Sequence, residues 1–250
     1  LLRDAQAMGG QWSYAGVELE SMIFAVNYRR WIFDIFRPYL GKRIVEVGAG
    51  LGTFSQLLLE TRPERLDAIE PSADLYLQLS RILPRADEGS APCAYRGTLR
   101  EHADAIRKAG APDSVVYVNV LEHIEDDVNE LFTTHALLQE AGHILIFCPA
   151  HPWLMGSMDR QLGHYRRYTM AELVEKCQAA GFEIRLASYF DMLGIVPWWL
   201  KYCVLQSRSM EPPAVRFYDR YVVPLSRLLE SVISPPIGRN VVLVGQRANR

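Results

Sequence analysis

Long apolar runs are missing from this 250-residue chain. The most apolar stretch, Met192 to Leu200, has nine residues between Asp191 and Lys201, far short of the roughly 20 that a membrane-spanning helix needs. Cysteine is scarce. Cys93, Cys148, Cys177 and Cys203 lie far apart, with no C-x-x-C pair. That excludes a dense disulfide framework, and the reading is reduced, mostly buried thiols in a cytoplasmic protein. An excess of one charge is also lacking. Lys and Arg total 27 against 29 Asp and Glu, a net charge of −2, so bulk electrostatics point to no nucleic-acid partner. There is no internal repeat, no low-complexity tract and no signal peptide in the sequence present.

What remains is an ordinary soluble composition, 49% apolar, at the length of one large α/β domain. Arg43 to Leu59, RIVEVGAGLGTFSQLLL, organises it. Ile44, Val45 and Val47 read as a buried strand. The turn Gly48-Ala49-Gly50-Leu51-Gly52 follows, and Thr53-Phe54-Ser55 opens a helix. Strand, glycine turn and helix make a nucleotide-cofactor site in a doubly wound sheet. The glycines let backbone and ligand approach closely, and the helix start offers free N–H groups.

The rest alternates regularly. Residues 1–17 read as a loose arm bearing Trp12 and Tyr14, and Val17 to Tyr39 as a helix stopped by Pro38 and Gly41. Strands are expected at Arg65–Glu70, Pro92–Gly97, Ser114–Asn119, His143–Cys148, Glu183–Tyr189 and Asn240–Gln246. Helices are expected from Ser72 to Ile82, Glu101 to Lys108, Asp126 to Glu140, and after Thr169 as far as Gly181. Strand–helix repetition implies right-handed crossovers and a parallel sheet. Pro149 to Tyr168 reads as a long loop. Residues 191–238 form an aromatic, Pro-rich insertion with an amphipathic segment, Val215–Val232.

Three signals select the cofactor. Glu46 precedes the turn, where a carboxylate suits a ligand ammonium group. Glu70 ends the second strand, where a carboxylate can accept from both hydroxyls of a ribose, and Pro71-Ser72 turns the chain away. Asn119-Val120-Leu121-Glu122-His123-Ile124 follows the fourth strand. The glycine pattern lacks the third glycine of G-x-G-x-x-G, because position 53 is Thr.

VEVGAGLGTF, the strand-ending Glu70, VNVLEHIEDD and the last strand NVVLVGQR resemble the class I S-adenosylmethionine-dependent methyltransferases. The resemblance covers roughly residues 27–190 plus the last strand. It implies an α/β, doubly wound Rossmann-like fold: seven strands, mostly parallel, the last antiparallel and inserted between two others. One domain over 1–250 is implied. It comprises an N-terminal arm and helical cover (1–41), a cofactor-binding core (42–190), a helical lid or dimer insertion (191–238) and the last strand (239–250).

It also implies S-adenosylmethionine as cofactor. Gly48, Ala49 and Gly50, ordered by Glu46 and followed by Thr53 and Phe54, would pass its methionine moiety. Glu70 would hold the ribose, with Pro71 and Ser72 lining the adenosine pocket. Thr98 and Leu99 would flank the adenine, although the acidic residue that many relatives carry there is replaced, with Glu101 nearby. Asn119, Val120 and Leu121 would contact the cofactor, and Tyr28 or Trp31 would reach it from the covering helix.

For methyl transfer the loop Pro149–Tyr168 offers acid–base groups, an aromatic wall and anion clamps. Asp159, His164 and Tyr165, with His123, are the candidate catalytic residues. The alternatives are an Asp159 ion pair with Arg166 or Arg167 that pins the loop, and structural roles for both histidines. Glu122 reads as a brace of the turn. No acidic cluster has metal-ligand spacing, so no metal is expected. The GHYRRYT stretch is similar to a subgroup associated with bacterial glycan or secondary-metabolite pathways. The expected acceptor is therefore a small molecule or glycan, partly apolar, methylated on oxygen, nitrogen or carbon. The insertion's face of Phe217, Tyr221, Val222, Leu225, Leu228, Leu229 and Val232 is expected to pack on the domain, with a homodimer surface as the alternative. The rival functions are a catalytically silent cofactor-binding module and an NAD-dependent oxidoreductase, the latter disfavoured by Thr53 and the absence of a Tyr-x-x-x-Lys motif.

Overall fold

The computed structural model describes residues 21–84 and 92–248. The expected arm with Trp12 and Tyr14 lies outside the described residues. A seven-stranded sheet forms the centre: β1 (Arg43–Val47), β2 (Arg65–Glu70), β3 (Cys93–Arg96), β4 (Ser114–Val118), β5 (His143–Pro149), β6 (Phe182–Phe190) and β7 (Asn240–Arg247). Its order is β3-β2-β1-β4-β5-β7-β6. Every pairing among β1 to β5 is parallel, while β7 runs antiparallel between β5 and β6. This is the topology the resemblance implied.

Helices cover both faces, and strand alternation sorts the core between them. Val116, Leu145, Phe147, Val242 and Val244 point to one side. There they meet Trp31, Ile32, Phe33 and Phe36 of α1 (Val26–Phe36) and Phe54 and Leu58 of α2 (Thr53–Leu59). Val115, Tyr117, Ile144, Ile146, Val241 and Leu243 point to the other. α3 (Ala73–Leu79) follows β2, and α4 (Leu99–Ala109), α5 (Asp127–Leu137) and, later, α7 (Met170–Ala179) cover that second side. Strands buried on both faces explain the nearly unbroken apolar runs of β4 and β5.

Two stretches depart from the sequence reading. The Pro149–Tyr168 segment is no plain loop: it carries a 3-10 turn, Pro152–Leu154, and a short helix α6 (Ser157–Leu162). Asp159 closes that helix's first turn, its carboxylate accepting from Gly156 N at 2.7 Å. The insertion is helical, with α8 (Ile195–Trp198) running into a π-helical turn, Trp199–Val204. α9 (Pro212–Phe217) and α10 (Val223–Val232) are joined by a second π-turn, Tyr218–Val222. The amphipathic face expected to pack on the domain instead faces outward. Phe217, Leu228 and Val232 are 63%, 64% and 81% exposed, while Val223 and Ser226 make the inward contacts.

The insertion also anchors the covering helix. Asp219 accepts from the amides of Asn27 and Tyr28 at 3.0 and 2.9 Å, satisfying donors that the first turn of α1 would leave unpaired. Among the described residues, no helix is long and apolar enough to cross a membrane.

Candidate active site

A cavity of about 810 Å³ opens at the carboxyl ends of β1, β2 and β4. That is the crevice where ligands of open α/β sheets bind. Its floor is the glycine turn. Gly48 has φ +68°, and a Cβ there would lie 2.5 Å from the Val120 side chain, so neither backbone nor space admits another residue. Gly50, at φ +56°, faces open space. At the mouth of β4 the chain turns through Asn119, φ +55°, a conformation Asn tolerates better than most residues.

Two buried carboxylates stand beside the turn. Glu70 accepts from Gly50 N and Ser72 N, both at 2.8 Å. Burial pushes its carboxyl up, and the two amides pull the other way. A carboxylate has about four acceptor positions, so two remain for ligand hydroxyls. Glu46 accepts from Ser55 Oγ. Burial raises it to about 8, with Ser55 opposing and the Glu70 charge adding to the rise. Ser72 stands at the start of α3, but its Oγ caps nothing and has no partner although buried.

Tyr28, Glu46, Gly48, Ala49, Gly50, Thr53, Phe54, Glu70, Pro71, Ser72, Thr98, Leu99, Asn119 and Val120 all line the cavity. Leu121 does not: its side chain is fully buried in the core beyond the sheet, and its carbonyl accepts from Tyr168 Oη at 3.2 Å. Trp31 is core as well, packed against Phe190 at 3.8 Å between ring centroids. Tyr28 reaches the cavity and donates to Asn240 Oδ1 at 2.9 Å. Glu101 is committed to Thr98 in a capping box, accepting from its amide at 2.7 Å, which takes it away from the adenine region. S-adenosylmethionine fits this cradle. The open space over Gly50, the free acceptor positions of Glu70 and the unpartnered Ser72 Oγ suit an adenosine. Glu46, a buried carboxylate on the same wall, suits an ammonium group.

On the β4 side the wall changes character. Glu122, His123 and His164 bring a carboxylate oxygen and two ring nitrogens within 4.8 Å of one another. Glu122 is fully buried, and neither carboxylate oxygen has a hydrogen-bond partner. Burial lifts it to about 7, with His164 pulling down. His123 meets His164 edge-to-face at 4.6 Å, and burial, then His164, depress it to about 3, so it is neutral throughout the physiological range. Tyr165 N donates to the Glu122 carbonyl at 2.9 Å, stitching the distant segment to the end of β4.

Asp159 stands outside the cavity wall and cannot touch an acceptor. It accepts from Arg167 Nε at 2.8 Å and meets His164 Nδ1 at 2.9 Å, all three side chains being almost wholly buried. Burial pushes its carboxyl up, but His164, Arg167 and the Gly156 amide outweigh that and hold it low. Asp159 is thus a positioning residue for His164. Arg166 pairs with Asp127 at 2.7 Å instead. Tyr165 lines the mouth, 43% exposed. Sequence reasoning missed Glu122 as chemistry, and also Arg239, which reaches the wall from just before β7, whereas Trp198 reaches it from the insertion expected to form a lid. The only sequence signal was the Glu122-His123 pair itself.

Residues 26–187 match the family described as Methyltransferase domain. Two curated proteins are similar over a shorter stretch, both named ubiquinone biosynthesis O-methyltransferase. The one from Ruegeria pomeroyi is 32% identical over 107 residues, 42% of this chain and 40% of that protein. The one from Ruegeria sp. TM1040 is 31% identical over 106 residues, with the same shares. The match thus spans about 40% of the curated relatives' length. Among solved structures, a methyltransferase of Archaeoglobus fulgidus has a TM-score of 0.53 at 16% identity, covering 88% of this chain and 94% of that one. One of Thermotoga maritima has a TM-score of 0.58 at 14% identity, covering 92% and 94%. Those two likenesses speak for the fold. With the sheet order, the glycine turn beside two buried carboxylates and a match across most of the core, the chain belongs to the methyltransferase domain family.

Proposed function

We propose that the protein is an S-adenosylmethionine-dependent O-methyltransferase acting on the hydroxyl of a small acceptor with an apolar body. The observation that carries this is Glu122: a buried, uncommitted carboxylate beside His123 and His164, at the β4 end of the cofactor cavity. When bound, the cofactor supplies a sulfonium-activated methyl group. The chain's own residues then need only align the acceptor, exclude water and accept one proton. A hydroxyl needs a base, and a group titrating near neutral pH suits the task. Glu122 is placed for it. His123, half-buried and neutral, orients the hydroxyl, and Asp159 fixes His164 alongside. Ile124, Leu162, Trp198 and Met210 give the cavity an apolar side, which favours a partly apolar acceptor over a glycan. The name shared by the two curated relatives supports oxygen as the methylated atom.

Thermal shift with S-adenosylmethionine, S-adenosylhomocysteine and NAD tests the cofactor. Release of S-adenosylhomocysteine across a panel of hydroxyl, amine and thiol acceptors tests the reaction. Stabilisation by NAD alone, or turnover with amines alone, overturns the reading.

Two further results are expected. Glu70→Ala removes the acceptor for ribose hydroxyls and frees the Gly50 and Ser72 amides, so cofactor affinity falls at least about tenfold, in line with lost charge-assisted hydrogen bonds. Unchanged affinity by calorimetry removes Glu70 from the ribose role. Glu46 gives a proton signature. Its folded value near 8 lies above the ordinary carboxylate value of 4.5. Between those values the folded chain holds a proton that the unfolded chain releases, so its contribution to stability falls as pH rises through that window. An ammonium group beside it favours the ionised form, so binding at pH 7 releases close to one proton. Binding enthalpies that differ between buffers of unlike ionisation heat report this release, and equal enthalpies refute it.

The outward apolar face of α9 and α10 supports a homodimer within the same proposal. Sedimentation should show dimers that Leu228→Glu converts to monomers, and a wild-type monomer at micromolar concentration excludes them.

A further inference from the structure

We infer that Glu122, His123 and His164 form a binding site for a divalent cation of the zinc type, held where the acceptor hydroxyl arrives. The inference rests on the hydroxyl-acceptor reading for its use, but the site itself stands on geometry.

Three potential ligand atoms lie within 4.8 Å of one another on the wall of a cavity. Around zinc, ligands at about 2.0–2.1 Å leave neighbouring donor atoms roughly 3.4 Å apart. Closing the group therefore asks for side-chain rotations of about 1 Å. Glu122 is 0% exposed, and both its oxygens lack hydrogen-bond partners. A buried carboxylate left so is costly, and a cation is the partner that most fully removes the cost. His164 is prepared as a ligand. Its Nδ1 is taken by Asp159 at 2.9 Å, which leaves Nε2 with the free lone pair. Asp159 is in turn fixed by Arg167 Nε at 2.8 Å and Gly156 N at 2.7 Å. A carboxylate holding the far nitrogen of a ligating imidazole is the usual outer support of a metal site.

The donor set selects the ion. Two imidazoles and one carboxylate suit zinc and similar first-row cations; magnesium and calcium prefer oxygen throughout. Three protein ligands leave a position open toward the cavity, the arrangement of reactive rather than purely structural zinc. Charge gives the open position a use. A dication with one carboxylate leaves a single positive charge in a buried wall, which an ionised hydroxyl cancels.

Glu122 accepts the hydroxyl proton in the metal-free site; with the cation in place it is a ligand, and the proton leaves by another route. The hydroxyl O–H bond breaks and its proton passes to water at the mouth. An oxygen lone pair forms the O–CH3 bond while the CH3–S electron pair stays on sulfur as a thioether. The cation changes no oxidation state.

The test uses full-length, tag-free protein stripped with a chelator and dialysed. Zinc is titrated by calorimetry, and cobalt(II) by its ligand-field absorption. One equivalent should bind, with an absorption spectrum of four- or five-coordinate cobalt and a higher Tm on zinc addition. His123→Asn and His164→Asn should each weaken binding at least tenfold, and Glu122→Gln should do the same, provided circular dichroism shows a native fold. If one variant fails to fold, the other two carry the comparison. Absence of stoichiometric binding, or equal binding by the folded variants, overturns the inference. Turnover undiminished in the stripped enzyme and unaffected by added zinc overturns the role at the hydroxyl. Stoichiometric binding without methylation of any hydroxyl acceptor supports the cation site and counts against the acceptor reading, so the two fail separately.

Discussion

Glu122→Ala should reduce turnover by about 10²–10⁴-fold, the range by which positioned acid–base groups accelerate proton-coupled steps, while leaving cofactor affinity within about twofold. Glu122 follows β4, whereas Glu70 ends β2 on the other side of β1, and the Glu122 side chain makes no hydrogen bond with the glycine turn. The loss therefore falls on kcat rather than on cofactor binding. Stability should hold or rise, because the substitution removes a buried carboxylate whose oxygens have no hydrogen-bond partner. Steady-state kinetics with a hydroxyl acceptor, paired with calorimetric titration of S-adenosylhomocysteine, separates the two effects. Turnover within threefold of wild type would remove Glu122 from the reaction. A parallel loss of cofactor affinity would show a collapsed cavity rather than a lost chemical group.

Arg167→Met should carry the largest stability cost among the single substitutions considered. Arg167 and Asp159 have side chains 1% and 0% exposed and meet at 2.8 Å. Arg167 also donates to the Ala150 carbonyl at 3.0 Å and lies 4.8 Å over the Trp198 ring. Removing the guanidinium leaves Asp159 buried beside the His164 ring and the Gly156 amide. Breaking one side of such a pair costs about 3–5 kcal/mol. For a chain of this length that corresponds to a Tm lower by roughly 6–20 °C. Differential scanning fluorimetry decides it, and a shift under 2 °C would show that the pair is not a clasp. The double change Arg167→Met with Asp159→Leu should recover much of the loss, since both charges then leave the interior. Its turnover should stay low, because His164 would have lost the carboxylate that sets its tautomer.

The sheet was legible because its physics is local and periodic. β4 reads SVVYV and β5 HILIFCP, apolar on both faces as central parallel strands must be. The cofactor cradle was legible for a related reason. Gly48, Glu46 and Glu70 sit at positions that a strand–turn–helix unit fixes by itself, and Asn119-Val120 follows at the next strand end. The chemistry on the far wall was not legible. Glu122 acquires its meaning from His164, which arrives from another segment and is aimed by a third residue, Asp159. No spacing rule links them. α6 was hidden because SMDRQL is six residues long and mostly polar, too short for apolar periodicity to register. The outward face of the insertion misled for the opposite reason. Its spacing is amphipathic, but after the π-turn Tyr218–Val222 it is Val223 and Ser226, not Leu225 and Leu228, that meet the domain.

The clasp between Asp219 and the amides of Asn27 and Tyr28 has a consequence for how the protein comes into being. The helix that covers the cavity is made on the ribosome about 190 residues before the carboxylate that completes its first turn. β7, inserted between β5 and β6, is later still. β1 to β5 therefore emerge while the cover is still unanchored, and the cavity gains its finished wall only after Asp219 has been added.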